Sequence, residues 1–432
     1  MTQAEEAAWA GVLAQVVDRS HLATGEQLSS VVDAAVRALG LTAELLLVDL
    51  AEQVLTPIGR EPGPPVDVVG TLPGRAYQHA EILAGTDEHG RVLWVPLLDG
   101  TDRVGVLRIG LGAGGTVEDG PWLRRRLWTL SGLMGHVVMA KVPHSDRLRR
   151  WRSNGPLSPP AELLWHILPP RTFATERVVV SALLQPAREV AGDAYDYDVR
   201  EDVVELAVFD ALGHDIRAGL TTVSALTAVR NARRDGVRDL AAVADRADAF
   251  IGSQPGPLQF ATAVLARFDT TTGVLHYLLA GHPPPLLLRR SKIVKELVAP
   301  PRLPLGVAGL AASAPAPRAT VAREQLEPGD RLLLYSDGIT EARDAHGEFF
   351  GEQRLIELTE HAAAADLSAP ETLRRLGAAV MEHQQGRLQD DATLLLVDWF
   401  AAGHLRIFPT LPGHEEDLDG RRGPEPGGGG GR

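Results

Sequence analysis

From residue 176 onward the sequence alternates short apolar runs with long amphipathic stretches, and several of the apolar runs begin or end on an aspartate. Strand-type runs rich in Val, Leu and aromatic residues occur at 176–184, 203–209, 261–268, 274–280, 286–290, 331–335 and 393–398. Between them, over 216–234, 240–251, 352–363 and 370–385, apolar residues recur at three- and four-residue spacing, which lines one face of a helix. Hairpins such as RFDTTTGVLHY, where 269–273 turn the chain, mix with helical pairs. The pattern predicts an α+β fold with mostly antiparallel sheet. Such a sheet brings strand ends that are distant in sequence to one rim.

The first part of the chain reads differently. Helical spacing covers 4–20 and 27–39, and strand-like runs follow at 43–50, 91–99 and 103–111, the last two joined by a tight turn at Asp99-Gly100. A helix is expected over 121–141, broken near Pro143 and resuming through Arg152, as a connector between two units. Its residues Leu123, Leu127, Leu130, Leu133 and Val137 form a stripe that would pack either on a partner helix, giving a homodimer, or on the chain's own sheet. The stretch 401–432, rich in Gly, Pro and charge, reads as a disordered tail.

Composition narrows the chemistry. The 432 residues carry a formal net charge of -13, which argues against non-specific binding to nucleic acid or anionic lipid. With no cysteine there is no thiolate zinc site and no Cys nucleophile, so a metal would sit on oxygen or imidazole. The N-terminus lacks a secretory pattern, and no apolar run reaches the roughly 18 residues of a membrane span; the expectation is a cytoplasmic protein. Gly110, Gly112 and Gly115 fit the spacing of a dinucleotide loop, but no strand follows and no acidic residue stands about 20 positions on, so a nucleotide-binding module is the weaker reading.

The aspartates carry more. Asp210 ends the run VVELAVFD, Asp337 ends RLLLYSD, and Asp390 and Asp391 open DDATLLLV, while Asp193 and Asp196 lie in AGDAYD, read as a Gly-containing turn. Each alone could merely cap a turn or helix. Together they form a set of hard oxygen donors suited to Mg²⁺ or Mn²⁺, and two such ions about 4 Å apart can clamp a phosphate and activate water.

The order AGD, FDALGH, YSDGITEA, DDATLLLV resembles the metal-dependent Ser/Thr phosphatases of the protein-phosphatase-2C-like (PPM) family, in the bacterial branch named for the sporulation phosphatase SpoIIE, over about 164–399. That resemblance implies a layered β-sandwich flanked by helices, two divalent cations (Mn²⁺ or Mg²⁺), and hydrolysis of phosphoserine or phosphothreonine on a protein. Carried over to this chain, it makes Asp210 the ligand shared by both ions with help from the Ala211 carbonyl. Asp337 and Asp390 become the other metal carboxylates, and Asp193 an outer ligand. Gly213, Gly338 and Asp391 match the motifs as shaping residues. Ala191, Asp215 and Gly219 depart from the usual pattern, and Asp215 is expected to affect access to the site. His214 and His282 are candidate general acids, with a structural role the simpler reading for each, and AGHPPP (280–285) reads as a rigid turn.

The stretch 26–120 resembles a GAF-type sensor domain through LWVPLLDG and DRVGVLRIG, with a generic α+β dimerisation domain as the alternative. The full expectation is a short N-terminal helix (1–25), a GAF-like domain with an unknown small ligand (26–120), a helical connector (121–160), a PPM-type domain (161–400) and a tail. The resemblance implies an anti-anti-sigma-type phosphoprotein as partner. The rival reading is a pseudophosphatase that binds its partner without turnover.

Overall fold

The computed structural model describes residues 3–61, 63–112, 117–185, 189, 192–213, 215–307, 320–386 and 388–400. Ala191, His214, Gly115 and the tail 401–432 lie outside these residues. The chain divides into two units, one built from the described residues up to Leu47 and from Leu55 to Leu148, the other from Val48–Val54 and from Arg149 onward.

The first unit holds helices α1 (Gln3–Ser20), α2 (Leu28–Val36), α3 (Leu72–His79) and α4 (Pro121–Lys141). Its antiparallel sheet consists of β1 (Thr42–Val48), β2 (Val54–Pro57), β3 (Val66–Asp67), β4 (Leu83–Asp87), β5 (Gly90–Asp99) and β6 (Asp102–Gly110), in the order β3-β2-β1-β6-β5-β4. The β5–β6 hairpin forms at the expected turn, where Gly100 adopts φ +61°. The helix expected as a connector instead belongs to this unit. Leu123, Leu127, Leu130, Met134 and Val138 of α4 are buried, the Ser131 hydroxyl donates to the Pro96 carbonyl, and a Cβ on Gly135 would lie 1.9 Å from the Leu98 carbonyl oxygen. Helix and strand β5 are therefore in backbone contact; of the expected stripe Leu123, Leu127 and Leu130 are buried in this unit, while Leu133 and Val137 are only half-buried. The break at Pro143 is a short 3₁₀ turn, after which α5 (Asp146–Ser153) resumes.

The second unit is a sandwich of two antiparallel sheets. Its strands are β7 (Thr172–Ala174), β8 (Val178–Gln185), β9 (Asp193–Val199), β10 (Val203–Ala211), β11 (Ala261–Asp269), β12 (Val274–Ala280), β13 (Leu286–Arg289), β14 (Lys292–Glu296), β15 (Ala322–Gln325), β16 (Arg331–Tyr335) and β17 (Ala392–Trp399). One sheet runs β15-β12-β11-β10-β9 and the other β14-β13-β16-β17-β8-β7. Strands β8 and β17 are buried at every position, as their unbroken apolar runs require. A single core, including Phe209, Phe268, Leu334 and Leu395, joins both sheets.

Helices cover the outer faces. After α6 (Pro159–Ile167), α7 (Ile216–Arg234) and α8 (Leu240–Gly252) lie on the five-stranded sheet. The short α9 (Asp337–Thr340) follows β16, and α10 (Glu352–Ala364) packs on α11 (Ala369–His383), which lies on β8 and β17. The layered sandwich flanked by helices matches the fold expected from sequence.

One local expectation fails: the segment with Asp193 and Asp196 is a strand, β9, rather than a turn. Asp196 is wholly buried there because Arg230, at 2.6 Å, and Arg233, both from α7, neutralise it. The Tyr195 and Tyr197 hydroxyls donate to the Pro169 and Pro170 carbonyls at 3.1 and 2.6 Å.

Candidate metal centre

Antiparallel pairing builds the first half of the site. Asp193 on β9 lies directly opposite Asp210 on β10, which lies opposite Thr262 on β11, so the three form a row across one sheet. Directly opposed residues share a face, and two like charges so placed repel. The other sheet supplies the second half. Strand β16 ends at Tyr335, Ser336 stands at the N-cap position of α9 without a side-chain bond to that helix, and Asp337 is the helix's first residue. Strand β17 starts just after Asp390 and Asp391 and pairs with β16.

Specific bonds tie these ends together. The buried Ser336 hydroxyl donates to Asp193 Oδ2 at 2.6 Å and accepts from the Thr393 amide at 2.9 Å. Asp391 Oδ2 accepts from the Gly192 amide at 2.5 Å, so this buried carboxylate is turned toward backbone while neighbouring Asp390 is exposed. A Cβ on Gly338 would lie 1.8 Å from the Asp391 carbonyl oxygen, and one on Gly192 would lie 3.0 Å from that of Ala211. Both glycines allow close backbone approach at the rim.

The electrostatics follow from this crowding. Burial, then repulsion from Asp337, Asp390 and Asp391, pushes the Asp210 carboxyl up to about 7, while a hydrogen bond with Thr262 opposes the shift. Asp193 is held well above the usual carboxylate range by burial and by Asp210 and Asp391, against the Ser336 bond. Asp337 is raised by burial and by Glu341 and Asp390. Asp193, Asp210, Asp337, Asp390 and Asp391 are thus close enough to act on one another, whereas Asp196, grouped with them in the sequence, is instead held by Arg230 and Arg233. Among the described residues, no three side chains of the His, Cys, Asp and Glu types already close on a single ion position. The rim fits a cationic group by its chemistry: hard oxygen donors whose mutual repulsion a divalent ion would relieve.

Three contributors were not foreseen: Ser336 links Asp193 to the second sheet, Thr262 bonds Asp210, and Glu341 acts on Asp337 from one helical turn away. Asp391, expected as a shaping residue, orders the Gly192 turn. Ser336 and Glu341 were visible within YSDGITEA, but Thr262 carries no sequence signal, since only strand register places it beside Asp210. Asp215 proves to be the N-cap of α7, accepting from the Arg217 and Ala218 amides at 2.9 and 3.0 Å.

His282 is buried, and burial pushes it down to about 4, against a weaker opposing effect of its bond to the Tyr335 carbonyl. A histidine depressed in the folded state loses ground as pH falls, because below its ordinary value of about 6.5 only the unfolded chain takes the proton. At pH 5 the cost is about 2 kcal/mol relative to pH 8. The raised carboxylates act in the opposite sense, so the comparison uses a variant. His282→Gln is expected to lose less stability than the parent between pH 7.5 and 5 in chelator, read from denaturant midpoints. Equal losses would show that His282 is not held neutral.

Residues 200–400 match the family model described as Stage II sporulation protein E (SpoIIE). Over 248 residues the chain is 28% identical to Protein IcfG of Synechocystis sp. (strain ATCC 27184 / PCC 6803 / Kazusa), covering 50% of this chain and 37% of that protein. Over 224 residues it is 25% identical to Phosphoserine phosphatase RsbU of Bacillus subtilis (strain 168), covering 51% of this chain and 63% of that one. The chain therefore spans less than two thirds of the length of either relative. Among solved structures, the RsbU and RsbW domains of Rv1364c from Mycobacterium tuberculosis align with TM-score 0.44 and 25% identity, over 52% of this chain and 62% of that one. The SiaA-PP2C domain of Pseudomonas aeruginosa aligns with TM-score 0.44 and 25% identity, over 51% and 85%. The similarity to the SpoIIE family model and to these relatives is thus carried by the C-terminal half of the chain.

Proposed function

We propose that the chain is a metal-dependent phosphatase that removes phosphate from serine or threonine of a regulatory phosphoprotein, of the anti-anti-sigma type, in the cytoplasm. The observation that supports this most is the acidic rim, where burial and the neighbouring carboxylates of Asp337, Asp390 and Asp391 push the Asp210 carboxyl up to about 7. In this reading Asp210, Asp337 and Asp390 hold two divalent cations, Mn²⁺ or Mg²⁺, with Asp193 and the Ala211 carbonyl as further oxygen donors. When bound, such ions supply charge neutralisation for the phosphoryl oxygens and an activated water. The chain's part is to hold the donors: Ser336 fixes Asp193, Asp391 orders the Gly192 turn, and exposed Asp390 leaves the rim open. Leu212, two residues after Asp210, is 52% exposed, and Ile216 and Leu220 at the start of α7 are exposed too, an apolar footing suited to a protein substrate. Among the described residues no helix is long and apolar enough to cross a membrane.

The test is phosphate release from an aryl phosphate and from a phosphoserine peptide. Excess EDTA is expected to abolish it and Mn²⁺ or Mg²⁺ to restore it. Turnover that persists in chelator would sink the two-cation reading, and no release under any condition would leave the non-catalytic binding role.

The first unit is proposed as a GAF-like sensor. It contains a cavity of about 600 Å³ between the start of α1, Leu39–Leu41 and the segment 117–123. Its walls include Trp9 and Trp122, packed edge to face at 6.0 Å, with Glu5 and Glu118. That volume is ordinary for a small-ligand site. Because α4 belongs to the first sheet, a truncation that tests sensing should begin near residue 145, ahead of α5, rather than at 121. The shortened chain is expected to turn over at a different rate from the full one, and equal rates would remove the case for control.

A further inference from the structure

We propose that His282 is a positioning residue of the metal centre, an imidazole brace that fixes the Asp210 end of one sheet against the Asp337 end of the other. This rests on the metal-centre reading above. His282 follows β12 and is buried, with 6% of its surface exposed, so it cannot meet a substrate. Its Nδ1 lies 2.7 Å from the Thr262 hydroxyl and its Nε2 lies 3.1 Å from the Tyr335 carbonyl oxygen.

Both bonds end beside a carboxylate. Thr262 is the cross-strand partner of Asp210 and bonds its carboxylate. Tyr335 is the last residue of β16, two positions before Asp337. A neutral imidazole suits the place because it has one donor and one acceptor. Nε2–H donates to the carbonyl, Nδ1 accepts from Thr262, and the hydroxyl proton is shared between Nδ1 and Asp210.

The turn that carries the ring is stiff. Gly281 adopts φ +69°, a Cβ there would meet Pro304 at 2.8 Å, and Pro283, Pro284 and Pro285 follow. The Ser336–Asp193 bond is a separate link between the same two sheets. That link and the Asp391–Gly192 bond both end at or beside the start of β9, whereas the His282 bonds reach β11. A partner that orients a ligand without touching the ion typically governs affinity by tenfold or more.

The test uses the full chain stripped of metal and titrated with Mn²⁺, followed by kcat and KM for an aryl phosphate, all well below the unfolding temperature. Thr262→Val and His282→Gln are each expected to weaken Mn²⁺ binding at least about tenfold and to lower kcat with KM little changed, whereas Thr262→Ser restores both. If His282→Gln does not fold, the Thr262 pair decides alone. Folded variants that bind Mn²⁺ as tightly as the parent, even with a lower melting temperature, would show a merely structural role and overturn the proposal. A parent that binds no Mn²⁺ would overturn the metal-centre reading itself, and this inference with it.

Discussion

Asp210→Asn is expected to lower kcat by at least about a hundredfold, because it removes charge from the carboxylate assigned to both ions. The structure places this residue at the centre of the rim, between Asp193 on its own sheet and Asp337 and Asp390 from the other. Asp337→Asn and Asp390→Asn are expected to be nearly as damaging. Asp391→Asn should fall differently, since its Oδ2 is engaged by the Gly192 amide. Its loss should appear more in stability than in turnover. Steady-state kinetics at saturating Mn²⁺ with denaturant midpoints for the same proteins separates the two effects. If Asp391→Asn slows turnover more than Asp390→Asn, the ligand has been assigned to the wrong member of the pair.

The second large effect is expected at Gly338. Alanine there puts a Cβ 1.8 Å from the Asp391 carbonyl oxygen, a clash with backbone that no rotamer relieves. The start of α9 would have to move away from the residues before β17, separating Asp337 from Asp390. Gly338→Ala should cost about 3 kcal/mol of stability and most of the activity. Gly132→Ala serves as control, because nothing lies within 4 Å of its added Cβ in the middle of α4. That change should be neutral or stabilising by up to about 1 kcal/mol. A Gly338→Ala protein as stable as the parent would mean that the two strand ends are not held in contact as described.

Much of this arrangement was legible in the sequence, for identifiable reasons. Strands β8 and β17 and helices α7 and α11 carry one hydrophobic period each, and burial enforces that period, so their limits fall within a few residues of expectation. Strand β9 was hidden because its acidic residues resemble a turn. What makes it a strand is charge neutralisation by Arg230 and Arg233, which come from a helix more than 30 positions away. Helix α4 had two possible partners for one stripe, and no pattern within the helix chooses between them. The choice depends on Gly135 and Ser131 meeting the backbone of β5.

The same division holds at the site. Asp210, Asp337 and Asp390 were visible as strand-end carboxylates and Asp193 as a carboxylate in a turn, whereas Thr262 and the brace through His282 depend on register between strands. The AGHPPP segment was legible as a rigid turn, but the two bonds its histidine makes were not.

In the proposed function Asp210 and its neighbours hold two divalent cations that the activity requires. Calorimetric titration of the chelator-stripped full chain with Mn²⁺, parent beside Asp210→Asn, tests it most directly. The expected result is two Mn²⁺ per parent chain, with binding of both weakened in Asp210→Asn and phosphate release from a phosphoserine peptide rising in step with occupancy in the parent. A parent that binds no Mn²⁺, or an Asp210→Asn protein that binds both ions as the parent does, would show that these carboxylates do not hold the two cations.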